Sequence, residues 1–170
     1  MWALSTAQAS DSSSLAKQCS DRAQLFLTAL DDDQLAKANW PFTGKQRRKW
    51  TYFPNVPELD IRTEGLAIKD MSSDQRVHAH ALIECGLSSQ GYQKAAGIMR
   101  LDDILAQTDL FRPKNPEDEA PVDSEKYWLA IFGNPAGTQP WGWQLEGHHL
   151  ALNFTVVGDG IVFAPAFMGA

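Results

Sequence analysis

The chain has 170 residues, of which 44% are hydrophobic and 21% charged, and its formal net charge is −6. This length and composition suit one folded domain, and the acidic balance excludes a general nucleic-acid-binding surface, which needs clustered Lys and Arg. No run of about 18 apolar residues occurs, so no membrane-spanning segment is predicted. We therefore expect a single domain over residues 11–170, with no nucleic-acid partner.

The first ten residues differ in character from the rest of the chain. Ala7-Gln8-Ala9 has the small-x-small form of a signal-peptidase site. The basic start and longer apolar stretch of a complete signal peptide are missing. Residues 1–10 are therefore either the remnant of a signal peptide or a disordered start, and the first alternative predicts an exported protein, periplasmic or extracellular.

About four helices are predicted in the first part of the chain. Apolar residues recur at steps of three and four over residues 15–30, and an aspartate can cap a short second helix over residues 31–38. A Ser-x-x-Gln capping box begins a third helix over residues 72–85, and a serine caps a fourth helix over residues 88–105. The intervening residues 39–70 read as a long irregular connection, a type of segment that often carries function.

The two cysteines lie on the apolar faces of two predicted helices. Cys19 belongs to the first helix and Cys85 ends the third. Two cysteines can form one disulfide, but they show no metal-binding spacing such as CxxC. We interpret both as buried free thiols that pack as small hydrophobic side chains and are not essential to the fold.

Strands are predicted in the last third of the chain. Residues 127–132 form a short apolar run, and residues 143–157 read as one long strand bounded by glycines. A tight turn at Gly158-Asp159-Gly160 then predicts that residues 161–164 pair antiparallel with residues 154–157. Helices followed by strands predict an α+β fold, with an antiparallel sheet of short strands after the helices.

The most informative stretch is Glu146-Gly-His148-His149, which Trp141, Trp143 and Asn153 flank. Imidazole, carboxylate and amide groups among aromatic rings are typical of metal, acid–base and ligand sites. On one regular strand, Glu146 and His148 would share the core face, and His149 would face the other side with Asn153, unless the intervening glycine carries a bulge. On this assignment, replacing His149 abolishes function, and replacing His148 costs more stability.

Residues 141–155 closely resemble domain-of-unknown-function family 3500, an uncharacterised family of bacteria and fungi. The family's signature is Trp-Gly-Trp, then Glu-Gly-His-His-Leu and an Asn, all of which are present here. Three further stretches are similar to family elements: Arg47 to Pro54, Leu87 to Tyr92 and Tyr127 to Pro135. The similarity covers nearly the whole chain from about residue 20.

The resemblance implies a longer protein, because family members continue past the segment that corresponds to residues 165–169. It also implies export, because many members look exported. The chain's apolar last residues agree with a domain that is incomplete at its C-terminus. We expect the 170-residue chain to be less stable than the longer form and to self-associate. No activity comes with the family.

The first functional hypothesis is an exported hydrolase that uses metal-assisted or acid–base chemistry. Its catalytic residues are Glu146, His148 and His149, with Asn153 as a binding residue and Arg47 as an anion clamp. A divalent metal (zinc, copper or iron) is held by His148 and His149 in the metal-assisted form, together with at least one further ligand.

Two other hypotheses stay open. In one, the protein is a non-catalytic binding module, whose aromatic platform of Trp50, Trp141 and Trp143 binds a small molecule, glycan, peptide or envelope component. In the other, the histidine-rich stretch is a structural polar cluster with no site.

Overall fold

The computed structural model describes residues 7–54, 63–115 and 117–169, with side chains from Leu15 onward. The helices are Ala7–Thr28 (α1), Asp32–Ala38 (α2), Ser73–Cys85 (α3) and Ser89–Leu105 (α4), and the strands are Asn39–Trp40 (β1), Leu66–Ala67 (β2), Tyr127–Phe132 (β3), Trp141–Gly147 (β4), Leu150–Val157 (β5) and Gly160–Met168 (β6). The predicted α+β class is confirmed. Of the predicted start, residues 1–6 lie outside the described residues and residues 7–10 begin α1. Within the described part of the chain, no helix combines the length and hydrophobicity needed to cross a bilayer.

The predicted capping residues begin α2 and α3 and also join the two helices. Asp31 and Ser72 each form a capping box with the glutamine three residues later. These glutamines are hydrogen-bonded to each other, with Gln34 Nε2 3.0 Å from Gln75 Oε1. Gln75 also donates to the Ala29 carbonyl at 2.8 Å. Local signals for helix starts therefore also fix how the helices pack.

The sheet has the order β1-β3-β4-β5-β6, and β2 pairs with the same edge of β3 as β1 does. All described strand pairs are antiparallel except β1 with β3. One face of β4 and β5 is apolar and packs on the helices: Trp141, Trp143, Leu145, Leu150, Leu152, Phe154 and Val156. The opposite face carries Gly142, Gln144, Glu146, Ala151 and Thr155.

The prediction of one long strand over residues 143–157 is wrong. Gly147 pairs with Leu150, so His148 and His149 are the two turn residues of a hairpin between β4 and β5. His149, the second of the two turn residues, has a φ of 60°, in the left-handed region that the second central residue of some tight turns occupies. The alternation of side chains between the two faces of the sheet therefore stops at the turn. Glu146 does not share the core face with Leu150, and the predicted assignment of the two histidines to opposite faces does not hold.

The interpretation of the cysteines as free thiols is also wrong. Cys19 of α1 and Cys85 of α3 form a disulfide, with their Cα atoms 5.6 Å apart. The apolar faces that buried each cysteine pack against each other, which brings the two sulfur atoms within bonding reach. Both residues are almost fully buried.

The predicted turn after β5 is confirmed, and β6 is longer than expected. It runs antiparallel to β5 from Gly160 to Met168. A register shift interrupts this pairing between Leu152 and Phe154, and the intervening Asn153 donates its side-chain N–H to the Pro165 carbonyl at 2.8 Å. Among the described strands, β6 has a neighbour on one side only.

Candidate functional site

The structure divides the predicted site residues among four places. His148 and His149 form the turn at the end of the β4–β5 hairpin. Glu146 lies on the sheet face opposite the helices, and a cleft lined by Arg47, Trp50 and Asn153 lies elsewhere on the sheet. Trp141 and Trp143 belong to the core.

The predicted aromatic platform is not formed by the two tryptophans of β4. Trp141 and Trp143 are 3% and 1% exposed. Their rings stack on each other with centroids 5.3 Å apart, and Trp143 stacks on Phe154 at 4.5 Å. They point toward the helices because they alternate with Gly142 and Gln144 along the strand. Only Trp50 of the predicted platform is exposed, at 39%.

His148 is held by an aspartate that sequence reasoning did not single out. Its Nδ1 lies 2.8 Å from Asp102 Oδ1. The two side chains are buried, with 8% and 4% of the residue exposed. The Asp102 carboxylate accepts a hydrogen bond from Nδ1–H, which fixes the imidazole tautomer and leaves Nε2 as the basic nitrogen. No described residue is hydrogen-bonded to Nε2.

Tyr127 joins the aspartate to the hairpin turn. Its hydroxyl lies 2.7 Å from Asp102 Oδ2 and 2.7 Å from the His148 carbonyl oxygen, and it can donate its proton to either. Burial and the adjacent Asp102 raise the pKa of Tyr127 far above its ordinary value, so the hydroxyl remains a neutral donor. Tyr127 is completely buried and fixes the distance between α4 and the turn.

Gly147 of the signature makes room for this tyrosine. Tyr127 and Gly147 are directly paired residues of β3 and β4. A Cβ at position 147 would collide with the Tyr127 ring. The glycine before the two histidines is therefore required for the tyrosine to reach Asp102.

His149 is exposed and lies against His148. The two ring centroids are 4.0 Å apart, with an interplanar angle of 30°. The backbone of His149 is anchored on both sides, since its N–H donates to the Tyr52 carbonyl at 2.8 Å and its carbonyl accepts from Gly169 at 2.9 Å. Partial burial and the neighbouring His148 lower the pKa of His149, so its ring stays neutral to a lower pH than a free imidazole.

An apolar cleft of about 290 Å³ adjoins Asp102 and His149. Its wall is made mainly by α4, and the residues that matter here are Ile98, Leu101, Ile104, Leu105, Asp102 and His149. Leu101 and Ile104 are 47% and 64% exposed. A small number of polar groups against an apolar wall is the usual composition of a small-molecule site.

The described residues contain no group of three or more His, Cys, Asp or Glu that could hold a metal ion. Nδ1 of His148 is occupied by Asp102, so His148 can offer only Nε2. An aspartate that orients a metal-binding histidine in this way is common. Metal binding by His148 and His149 stays a prediction, and it requires ligands in addition to these two.

Glu146 was expected to orient His148, and Asp102 does so instead. Glu146 is 1% exposed on the opposite face of the sheet. Its Oε1 accepts from the Thr51 N–H at 3.2 Å and from the Gln144 amide. Burial raises the pKa of Glu146 to about 9, and the Thr51 hydrogen bond opposes this only partly. Glu146 is therefore a neutral acid at neutral pH.

A sequence signal for Asp102 did exist. On α4 the residues at steps of three and four, from Tyr92 through Ala95 and Met99, lie toward the core, and Asp102 continues this series. A charged residue on the buried face of a helix is unusual and calls for a partner. Its partner could not be identified, because the hairpin turn had been predicted as strand.

A family model described as "Protein of unknown function (DUF3500)" matches residues 12–170. The chain belongs to the DUF3500 family. Searches of the curated proteins and of the solved structures found no match. In this member, Trp-Gly-Trp forms the buried start of β4, and the two histidines form the hairpin turn.

Proposed function

We propose that the protein is a hydrolase that uses acid–base chemistry, with His148 as the general base. The observation that carries this proposal is the 2.8 Å hydrogen bond between the buried Asp102 carboxylate and His148 Nδ1. An imidazole oriented by a carboxylate, whose other nitrogen has no partner among the described residues, is suited to acid–base catalysis.

In the proposed reaction, His148 Nε2 accepts a proton from a water molecule as the water oxygen attacks an acyl carbon. Asp102 stabilises the imidazolium that forms, and Tyr127 keeps Asp102 in place. When the bond between the acyl carbon and the leaving group breaks, the imidazolium returns the proton to the leaving group. The acyl group leaves as a carboxylic acid, and no oxidant or reductant is needed.

The cleft on α4 supports an ester or amide substrate with an apolar part. Leu101 and Ile104 offer exposed apolar surface beside His149. The pKa of His149 is lowered by its partial burial and by the adjacent His148, and its ring lies next to His148, so we assign it to substrate positioning. In the metal-assisted alternative, the same two imidazoles would supply nitrogen ligands to a divalent ion, together with further ligands.

We also propose that the protein is exported. The disulfide between Cys19 and Cys85 supports this, because such bonds persist in oxidising compartments and are rare in reducing ones. Recovery of the oxidised protein from the periplasm or medium of a bacterial host would test the proposal, and retention of the reduced protein in the cytoplasm would contradict it.

The hydrolysis proposal is tested with p-nitrophenyl esters and anilides of short and medium acyl length. The comparison uses wild type, His148→Gln and Asp102→Asn, with His78→Gln on α3 as the control. We expect the His148 variant to lower kcat/KM by about a hundredfold or more, as for a lost general base, and the control to retain activity. A parallel series of activity measurements with EDTA or with added zinc, copper or iron distinguishes the metal-assisted mechanism from the acid–base mechanism.

The proposal fails if wild type hydrolyses none of these substrates with or without metal, or if His148→Gln and the control have equal activity. Circular dichroism of each variant shows whether a loss of activity reflects a loss of folding. Activity that appears only with added metal, and disappears in both His148→Gln and His149→Gln, would replace the acid–base mechanism by the metal-assisted one.

A further inference from the structure

A second cleft, of about 240 Å³, lies where β5 and β6 meet the segment that follows β1. The residues that matter in its lining are Arg47, Arg48, Trp50, Asn153, Thr155 and Pro165. It shares no lining residue with the cleft beside His149.

Arg47 is fixed in this cleft by uncharged partners. Its Nη2 donates to Thr155 Oγ1 at 2.9 Å, and its guanidinium carbon lies 4.1 Å from the centre of the Phe42 ring. A guanidinium group has five N–H donors, and stacking on an aromatic ring leaves its charge in place. The side chain is thus held in position with most of its donors unused.

The positive charge of the cleft is not neutralised by the described residues. No described carboxylate forms an ion pair with Arg47 or Arg48, and none lines the cleft. The neighbouring Lys49, by contrast, has its Nζ 3.9 Å from Glu64 Oε1. Two arginines in one cleft, without an ion-pair partner among the described residues, stand out on a protein whose net charge is −6.

Two further groups provide contacts of a different kind. Trp50 is 39% exposed and offers part of its ring surface. Asn153 is almost buried and gives its N–H to the Pro165 carbonyl, which leaves its Oδ1 as an acceptor with no partner among the described residues. The cleft therefore combines cations, an aromatic surface and a fixed hydrogen-bond acceptor.

We propose that this cleft binds the carboxylate of an acidic saccharide. The planar guanidinium of Arg47 matches a carboxylate in geometry, and Arg48 adds a second positive charge. The Trp50 ring contacts the apolar face of the sugar ring, and Asn153 Oδ1 accepts from a sugar hydroxyl. The site is a binding site and does not depend on hydrolysis at His148.

The test is a set of titrations of the 170-residue chain, in which binding is measured by tryptophan fluorescence and by calorimetry. The probes are glucuronate, glucose, acetate and inorganic phosphate. The variants are Arg47→Gln and Arg48→Gln, and the control is Arg100→Gln, which removes an exposed arginine from α4. Arg48 has no described side-chain hydrogen bond or ion pair, so its variant should fold even if the loss of Arg47 disturbs the segment.

We expect saturable glucuronate binding to wild type, weakened by about tenfold or more in both cleft variants and unchanged in the control. Acetate should compete more weakly, and glucose should bind least. Absence of saturable glucuronate binding, or equal affinity in wild type and Arg48→Gln, overturns the proposal. Equal affinity for acetate and glucuronate overturns the saccharide assignment, and tighter binding of phosphate than of glucuronate overturns the carboxylate assignment.

Discussion

Glu146 is the residue through which pH should affect stability most directly. Its pKa is about 9 in the folded protein, against an ordinary value of 4.5. Between these values the folded state keeps a proton that the unfolded state has lost, so the free energy of unfolding falls as pH rises. The full contribution of protonated Glu146 to the free energy of unfolding is present below pH 4.5 and is lost progressively toward pH 9.

We predict that Glu146→Gln removes this loss of stability with rising pH. The amide keeps an oxygen that can accept from Thr51 and Gln144 and carries no charge at any pH. Denaturant unfolding from pH 5 to pH 8.5 should show a fall of up to about 1.4 kcal/mol per pH unit in wild type and a smaller slope in the variant. The exposed Glu117→Gln serves as control, and an unchanged slope in Glu146→Gln would contradict the prediction.

His149 has a backbone conformation that its side chain disfavours. Its φ of 60° lies in the left-handed region, which is natural for glycine. A residue with a Cβ loses roughly 1–2 kcal/mol in this conformation. A histidine is kept at this position although a glycine would suit the turn better, which agrees with a role for its ring.

At the scale of the element, the β4–β5 hairpin should therefore be more stable with glycine at its turn. We predict that the free energy of unfolding of His149→Gly is about 1 kcal/mol higher than that of His149→Ala. Both variants lose the imidazole ring, but only alanine keeps a Cβ and therefore the backbone strain at this φ. Thermal and urea unfolding of the two variants provide the comparison. Equal stability of the pair would show that the turn carries no strain at residue 149.

The pairing of α1 with α3 should depend on the disulfide. Cys19 and Cys85 are 66 residues apart in sequence, and closing a loop of that size stabilises a fold by about 4 kcal/mol. We predict a loss of this order in the Cys19→Ala, Cys85→Ala double variant and in wild type after reduction, measured by urea unfolding. A loss of less than about 1 kcal/mol in the free energy of unfolding would contradict the prediction and would indicate that the cysteines contribute only by packing.

At the scale of the whole molecule, β6 is the exposed edge of the described sheet. Val162 and Phe163 are 56% and 42% exposed, and an unpaired apolar edge favours association. We predict concentration-dependent self-association over the micromolar to millimolar range, reduced in Val162→Lys. Val77→Lys, at a residue 66% exposed on α3, is the matched control. Sedimentation showing a monomer throughout, or an equal effect of both lysines, would contradict the prediction.

The sequence predicted those features that short-range signals determine. Asp31, Ser72 and Ser88 cap their helices as expected, because capping depends on residues within one turn. The glycine-rich turn before β6 was recognisable for the same reason. The hairpin at residues 148 and 149 was missed, because its turn lacks the glycine or asparagine that usually marks a left-handed residue.

The features that were missed depend on contacts between distant parts of the chain. The disulfide required knowledge that α1 packs on α3, and the partner of His148 required knowledge that α4 reaches the end of the hairpin. The histidines were singled out from the sequence by composition alone, and their role stays a prediction. Their carboxylate was assigned to Glu146, the nearest in sequence, although Asp102 is nearest in space.

The distance along the chain between Asp102 and His148 has a consequence for protein engineering. Their side chains are 46 residues apart in sequence and belong to a helix and a turn. Suppose that a hairpin carrying Gly-His-His-Leu is transplanted into another scaffold. It would keep its turn and its two imidazoles, but without Asp102 nothing would fix the tautomer of the first histidine. The Gly-His-His-Leu stretch is therefore only part of the proposed catalytic unit, and a graft would have to bring α4 and Tyr127 with it.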